Sequence, residues 1–234
     1  MLRSILSRPE KGKIFRRRLF DEIQKIGIDS ITIVALMSVF IGGVIALQVS
    51  SNMDNPLLPT YTIGYITRST TILELSPTII CLILAGKVGS NIASEIGTMR
   101  ITEQIDALEI MGVNSLSYMV LPKVIAALIF FPILVTFSMA LALIGGWIAL
   151  IVSGLSDTGT YVLGLRFYFR AYDVFYALTK TVVFGFLIVT ISSYYGYYVK
   201  GGSIDVGKSS TQAVVTSSIF ILIANFIITQ IMLL

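Results

Sequence analysis

The stretch Ala85–Lys123, AGKVGSNIASEIGTMRITEQIDALEIMGVNSLSYMVLPK, is the one sizeable polar segment inside an otherwise apolar chain. At helical spacing, Ile101, Ile105 and Leu108 share one face. Acidic residues share a neighbouring face: Glu103, Asp106 and Glu109. This pattern predicts a short amphipathic helix over 93–112.

Residues that favour helix ends follow this helix. Gly112 is the expected C-terminal stop, Asn114 or Ser115 can cap the next helix, and Pro122 lies near the start of the next apolar run. Two interpretations remain open. The segment is either a solvated helix that only connects two membrane spans, or a coupling helix that docks into a cytosolic motor.

Composition places the chain among polytopic membrane proteins. Hydrophobic residues make up 55% and charged residues 13%, and mean hydropathy is +0.87, with the apolar residues in long uninterrupted runs. We therefore predict an all-α integral membrane protein. The chain has no histidine and a single cysteine, Cys81, within an apolar run, so we expect no metal site, disulfide framework or Cys/His catalysis.

The uncharged runs predict five transmembrane helices, since about 20 apolar residues cross a bilayer. Their predicted bounds are 30–49, 61–86, 118–152, 174–199 and 209–233. The third run is longer than one straight span. A hairpin would leave two arms too short to cross, so we predict one long, tilted helix with close packing at Gly145 and Gly146.

The N-terminal residues 14–28 combine helically spaced apolar residues with several arginines. A helix lying in the membrane interface fits this pattern, and so does a basic tail that only fixes topology. The N-terminus lacks a signal-peptide pattern, so the first span is expected to direct insertion. Nucleic-acid binding is a poor interpretation because no soluble domain accompanies the basic run.

The distribution of positive charge predicts the topology. Of 17 Lys and Arg residues, eight precede Asp29, three lie within 87–123 and two flank the GSIDVG turn at 202–207. The positive-inside rule places these regions in the cytoplasm. Five spans then place the C-terminus on the opposite side.

Glu74 is the most informative charge in the chain, because it lies within the second predicted span, beside Leu73 and one turn before Pro77. An intramembrane carboxylate costs a few kcal/mol on insertion scales, so it normally faces the bundle interior or a cavity. Glu74 is either a structural acceptor, protonated or paired with another helix, or part of a substrate cavity. Lys180, near the outer end of the fourth span, is expected to extend towards the interface.

Residues 202–209 read GSIDVGKS and match the phosphate-loop pattern G-x-x-x-x-G-K-[ST]. A working phosphate loop follows a strand, opens a helix of an α/β domain and needs a separate acidic residue for magnesium. Here the motif lies between two predicted spans. We therefore expect it to bind no nucleotide.

Four segments carry a resemblance to a known family: FIGGVIALQ (40–48), LELSPTIICLILAGKVGSNIASEIG (73–97), EIGTMRITEQIDALEIMGVNSLSYMVLPKVIA (95–126) and STQAVVTSSIFIL (210–222). They resemble the MlaE/YrbE-type permeases, which are the membrane subunits of ABC transporters associated with MCE-domain proteins. The resemblance covers roughly residues 14–234. It implies a single permease domain over 1–234.

This resemblance implies a homodimer in the bacterial inner membrane that moves phospholipid or a similar lipid. It also implies an MCE-domain partner outside the cytoplasm and a separate ATPase subunit that binds ATP and Mg²⁺, so the chain itself needs no cofactor and is not an enzyme. The N-terminus would be cytoplasmic and the C-terminus periplasmic. Family members place an acidic residue beside the lipid cavity, often after an arginine. Glu74 aligns with it, but Leu73 replaces the arginine.

Two sets of candidate site residues follow. The expected substrate-binding residues are Leu73, Glu74 and Pro77. The expected ATPase-coupling residues are the charges of the polar segment: Glu95, Arg100, Glu103, Asp106 and Glu109.

Two other function classes remain. In an ion-coupled secondary transporter, Glu74 would carry a proton, and transport would depend on pH and not on ATP. A membrane-embedded enzyme would need paired acids, histidines or an activated nucleophile, which the spans lack.

Overall fold

The computed structural model describes residues 12–53 and 59–233, with side chains described from Phe15 onward. The start of the basic N-terminus therefore lies outside the described residues. So do residues 54–58, between the first two predicted spans.

The described residues are mostly helical and form no strand. A short 3₁₀ turn, Ile28–Ser30, follows the first helix. The third helix, Tyr61–Ile101, contains two π-helical stretches, Thr71–Ile79 and Ala85–Gly89. The helices are α1 Gly12–Ile26, α2 Ile31–Ser51, α3 Tyr61–Ile101, α4 Gln104–Ile110, α5 Ser115–Val152, α6 Thr158–Arg166, α7 Ala171–Tyr197 and α8 Ser203–Leu233.

Within the part of the chain that the structure describes, five helical stretches are long and apolar enough to cross a membrane. They are Phe15–Ser51, which begins within α1 and includes α2, together with α3, α5, α7 and α8. The prediction of an all-α membrane protein with five spans is therefore confirmed. The third predicted span is one continuous helix of 38 residues, as expected, and no hairpin forms in it.

Two helix bounds differ from the sequence-based prediction by more than three residues. The second span continues to Ile101 and takes in the first part of the helix predicted over 93–112, which is broken at Thr102 and Glu103. The last helix begins at Ser203, six residues before the predicted start at 209. In both places a helix continues through polar residues that sequence reasoning assigned to a separate element.

The contacts divide the chain into two compact units. Unit 1 contains the chain up to Ser30, Cys81–Phe131 and the chain from Val182 onward. Unit 2 contains Ile31–Ile80 and Pro132–Thr181. Parts of α3, α5 and α7 belong to each unit. The single permease domain over 1–234 remains a prediction.

In unit 2, glycines allow α2 and α5 to approach closely. A Cβ atom at Gly42 would lie 1.9 Å from the carbonyl oxygen of Ala142, and one at Gly145 would lie 2.2 Å from that of Val39. Neither position has room for a side chain, so the two backbones are in direct contact. Small residues that allow such approach are typical of membrane helix interfaces, and the close packing expected at Gly145 is confirmed.

A chain of buried hydroxyls joins three helices of unit 2. The Oγ atoms of Ser38 on α2 and Ser138 on α5 lie 2.8 Å apart, and Ser138 Oγ donates to Ser76 Oγ on α3 at 3.3 Å. All three serines are buried. Hydrogen bonds between membrane helices fix their register, and Ser76 belongs to the same π-helical stretch as Glu74.

In unit 1, α7 and α8 pack against the last part of α3. A Cβ atom at Gly196 would lie 2.7 Å from the carbonyl oxygen of Ala93. Ser210 Oγ on α8 donates to the carbonyl oxygen of Ser90 at 3.1 Å. These contacts hold the part of α3 that leads to the short helix α4.

Candidate functional site

Glu74 lies in the π-helical stretch Thr71–Ile79 of α3, and its carboxylate forms an ion pair with α7. Lys180 Nζ lies 2.6 Å from Glu74 Oε1, and the Tyr176 hydroxyl donates to the same oxygen at 3.2 Å. The Lys180 ammonium also lies 4.3 Å from the centroid of the Tyr176 ring. The charge inside the second span is therefore matched by a charge inside the fourth.

The two partners differ in burial. The Lys180 side chain is 0% exposed, whereas that of Glu74 is 39% exposed. Lys180 thus lies behind the carboxylate, and part of Glu74 remains accessible on the surface of unit 2. Oε1 accepts from Lys180 and Tyr176, and the second oxygen, Oε2, accepts from Thr78 Oγ1 at 3.5 Å.

The expectation that Lys180 extends to the membrane interface is wrong. Its ammonium points into unit 2 because a carboxylate, a ring face and a carbonyl oxygen are all within reach there. One sequence signal was available: Glu74 and Lys180 are opposite charges that both lie within apolar runs. Tyr176 carried no comparable signal.

Leu73 and Pro77 act through the backbone of the same stretch. Proline has no N–H, so Pro77 cannot donate to the carbonyl of Ile72, five residues earlier, as the π-helical pattern would require. Lys180 Nζ lies 3.4 Å from the carbonyl oxygen of Leu73. The Leu73 carbonyl thus gives the buried ammonium a second acceptor beside the Glu74 carboxylate. π-helical stretches inside α-helices are frequent at functional sites.

The middle of the polar segment, residues 101–114, forms a corner between α3 and α5. We call it the corner segment. Glu103 adopts a left-handed conformation with φ of 59°, and this breaks the predicted helix into the end of α3 and the short α4. Gly112 has φ of +76° and follows the end of α4, as predicted. Asn114 Oδ1 accepts from the Ser117 N–H at 3.2 Å and caps α5.

The predicted apolar face of this segment turns inward, and Ile105 is fully buried. Sequence reasoning missed a second apolar group. Ile110 and Met111, at the end of α4, are 88% and 68% exposed. Two large apolar side chains at the tip of a polar corner are unusual for a solvated connector.

Four of the five predicted coupling charges have partners within the chain. Arg100 pairs with Asp106 across the break at 2.7 Å. Glu95 pairs with Lys123 and Lys25 at 2.6 Å and 3.1 Å.

Glu109 accepts from the Tyr197 hydroxyl at 2.8 Å and from Ser115 Oγ at 3.0 Å, and these hydrogen bonds lower the pKa of Glu109 below its ordinary value. Glu103 is exposed, and its side chain makes no hydrogen bond or ion pair with the part of the chain that the structure describes. Among the five charges, it is Glu103 that is left for an external partner.

The GSIDVGKS motif has a helical conformation from Ser203 onward. Asp205 Oδ2 accepts from the Gly202 N–H at 3.2 Å, and Lys208 Nζ lies 3.5 Å from Asp205 Oδ1. A carboxylate therefore lies at the helix N-terminus, where a phosphate loop would hold a phosphate. This conformation differs from that of a phosphate loop.

Comparisons with known proteins agree with the geometry of a membrane permease. The family described as Permease MlaE matches residues 19–231. A probable ABC transporter permease protein of Rickettsia bellii is 41% identical over 209 residues, which are 88% of this chain and 79% of the relative. A probable ABC transporter permease protein of Synechocystis is 34% identical over 222 residues, covering 95% of this chain and 84% of the relative.

A plant protein is also similar. Protein TRIGALACTOSYLDIACYLGLYCEROL 1, chloroplastic, of Arabidopsis thaliana is 30% identical over 227 residues. The match covers 94% of this chain and 63% of the plant protein.

Proposed function

The chain belongs to the MlaE permease family, and from this premise we propose that it is the membrane subunit of an ABC transporter that moves phospholipid or a similar hydrophobic lipid between membranes. Two copies form the permease, and a separate ATPase subunit supplies the energy by binding ATP and Mg²⁺. An MCE-domain protein on the other side of the membrane exchanges lipid with the permease. The name of the Arabidopsis relative refers to a glycerolipid, which supports a lipid substrate class.

The observation that carries this proposal is the accessible carboxylate of Glu74 on an apolar helix bundle. A lipid needs apolar walls for its acyl chains and a small number of polar contacts for its head group. The spans supply the apolar walls, and Glu74, held by Lys180, supplies a polar contact for the head group. Leu73 and Pro77 complete the stretch that positions the carboxylate.

The ion pair also argues against the alternative of a proton-coupled transporter. Protonation of Glu74 would leave the Lys180 ammonium, which is 0% exposed, without its counter-charge. An uncompensated buried charge costs about 3–5 kcal/mol. A proton carrier would incur this cost each time Glu74 is protonated. A carboxylate that stays ionised beside Lys180 is better suited to binding a substrate.

We assign the ATPase contact to the exposed part of the corner segment. Glu103 lies at the break before α4, and Ile110 and Met111 lie at its far end. Apolar side chains buried in a partner's cleft supply affinity, and a neighbouring charge sets the register and the rate of encounter. The other four predicted charges are held within the chain and shape the corner.

The proposed orientation follows from charge and span number. The basic N-terminus, the corner segment and the turn before α8 lie in the cytoplasm under the positive-inside rule, and five spans place the C-terminus in the periplasm of a bacterial inner membrane. The corner segment then faces the compartment that contains ATP.

The experiment that tests the proposal is transfer of labelled phospholipid between vesicles by the purified complex of permease and ATPase. Transfer must require hydrolysable ATP, and Glu74→Gln must lower it while the ATPase stays bound. Asp173→Asn, a matched acid-to-amide change at the start of α7, serves as the control. Transfer by Glu74→Gln at the wild-type rate would remove Glu74 from the lipid site.

A further inference from the structure

Lys123 is a buried cation that the proposed functions do not use. Its side chain is 4% exposed, and its Nζ lies 2.6 Å from Glu22 Oε1 and 2.6 Å from Glu95 Oε2. Lys25 Nζ lies 3.1 Å from the other oxygen of Glu95. Two ammonium groups and two carboxylates thus form an electrically balanced group, the four-charge cluster (Glu22, Lys25, Glu95 and Lys123).

The cluster joins three chain segments within unit 1. Glu22 and Lys25 belong to α1, Glu95 belongs to α3, and Lys123 belongs to α5. A buried ion pair is often no more stable than apolar side chains of the same volume, whereas it does fix one geometry. Burial of Lys123 between two acids therefore indicates that the relative position of these three helices matters.

Two further contacts hold α1 along α5. The Arg18 guanidinium lies 3.5 Å from the centroid of the Tyr118 ring. A Cβ atom at Gly27, just after α1, would lie 2.1 Å from the Phe130 ring. The sequence predicted that α1 lies in the membrane interface or only fixes the topology. In the structure, α1 also packs against α5.

The cluster lies at the base of the corner segment. Glu95 is about two helical turns before the end of α3, and Lys123 is about two turns after the start of α5. Displacement of the tip, where Glu103 and Ile110 are exposed, must act on the two helices at this base. The ion pairs connect both of them to α1.

We propose that the four-charge cluster makes α1 a moving part of the transport cycle, with Lys123 as the positioning residue that ties it to the corner segment. This inference rests on the proposed docking of an ATPase at the corner. When the ATPase closes and displaces the corner segment, α1 moves with it. The N-terminal helix is then part of the coupling apparatus as well as a membrane anchor.

Two matched variants test the cluster in the full permease–ATPase complex in lipid nanodiscs. The charge-free variant carries Glu22→Gln, Lys25→Met, Glu95→Gln and Lys123→Met. The inverted variant carries Glu22→Lys, Lys25→Glu, Glu95→Lys and Lys123→Glu, which restores every pair with opposite sign. The control is Asp205→Asn with Lys208→Met, which removes an exposed ion pair from the same unit.

The primary measurement is the signal of a spin label on α1. Gln24 is exposed and accepts the label as Gln24→Cys, after the single native cysteine is removed by Cys81→Ala. In the wild type, the inverted variant and the control, the label spectrum must change between the nucleotide-free and the ATP–vanadate states. In the charge-free variant this change must be lost, and the lipid moved per ATP hydrolysed must fall at least fivefold.

Several results would overturn the inference. These are a persisting label response in the charge-free variant, loss of the response in the inverted variant, or no response in the wild type. If the charge-free variant does not assemble, Glu22→Gln with Lys123→Met replaces it under the same criteria, since the Lys25–Glu95 pair is retained. A wild-type complex that hydrolyses ATP without moving lipid refutes the lipid function alone, because the label response still decides the role of α1.

Discussion

Removal of Glu74 and removal of Lys180 should lower the free energy of unfolding by different amounts. Glu74→Leu leaves the Lys180 ammonium fully buried without a counter-charge, which costs about 3–5 kcal/mol. Lys180→Met leaves a carboxylate that is 39% exposed and still accepts from the Tyr176 hydroxyl, so solvent offsets part of the loss. We expect about 1–3 kcal/mol for this change.

The double variant, Glu74→Leu with Lys180→Met, should lie within about 1 kcal/mol of the wild type, because apolar residues replace a buried pair at little cost. The interaction between the two sites in this cycle should therefore reach at least about 3 kcal/mol.

Thermal unfolding of the purified variants in one detergent measures these differences. At about 2–4 °C per kcal/mol for a chain of this size, Glu74→Leu should lower Tm by roughly 6–20 °C. Lys208→Met, at a side chain 70% exposed, should shift Tm by less than about 2 °C. The reasoning is refuted if Glu74→Leu is as stable as the wild type, or if the double variant is less stable than both single variants.

Three further predictions concern other parts of the chain. Ile110→Asp should abolish capture of the ATPase in a pull-down and Glu103→Lys should weaken it, with the Tm of the isolated permease unchanged; full capture of both variants would make the corner segment only a connector. Lys208→Ala should leave ATP-dependent lipid transfer intact, and crosslinking of an ATP analogue to Lys208 in the purified chain would overturn this expectation. Gly42→Leu should lower the yield of folded protein severalfold, because a Cβ atom there would lie 1.9 Å from the carbonyl oxygen of Ala142, whereas Gly86→Leu, where a Cβ atom meets nothing within 4 Å, should be tolerated.

Much of the fold could be predicted from patterns that act within one helix. Long uncharged runs indicate spans, since each buries its own backbone hydrogen bonds in lipid. The stop at Gly112 follows from a left-handed conformation that glycine adopts without strain. The inward direction of Ile105 follows from helical spacing.

Features that depend on distant parts of the chain could not be predicted. The partner of Glu74 lies 106 residues away, and no local pattern couples the two positions. Glu95 is one of the many charges of the polar segment and for that reason was predicted to contact the ATPase, yet Lys123, which lies on another helix, binds it within unit 1. The break at Glu103 gave no signal because a left-handed conformation is uncommon for glutamate.

The central claim is that ATP hydrolysis, and no ion gradient, drives lipid through a permease with Glu74 at its lipid site. The most direct measurement is lipid transfer by the reconstituted complex, with ATP supplied and the proton gradient either present or dissipated. We predict transfer that requires ATP, is unaffected by dissipation of the gradient and falls in Glu74→Gln. Transfer driven by a proton gradient without ATP would contradict the account.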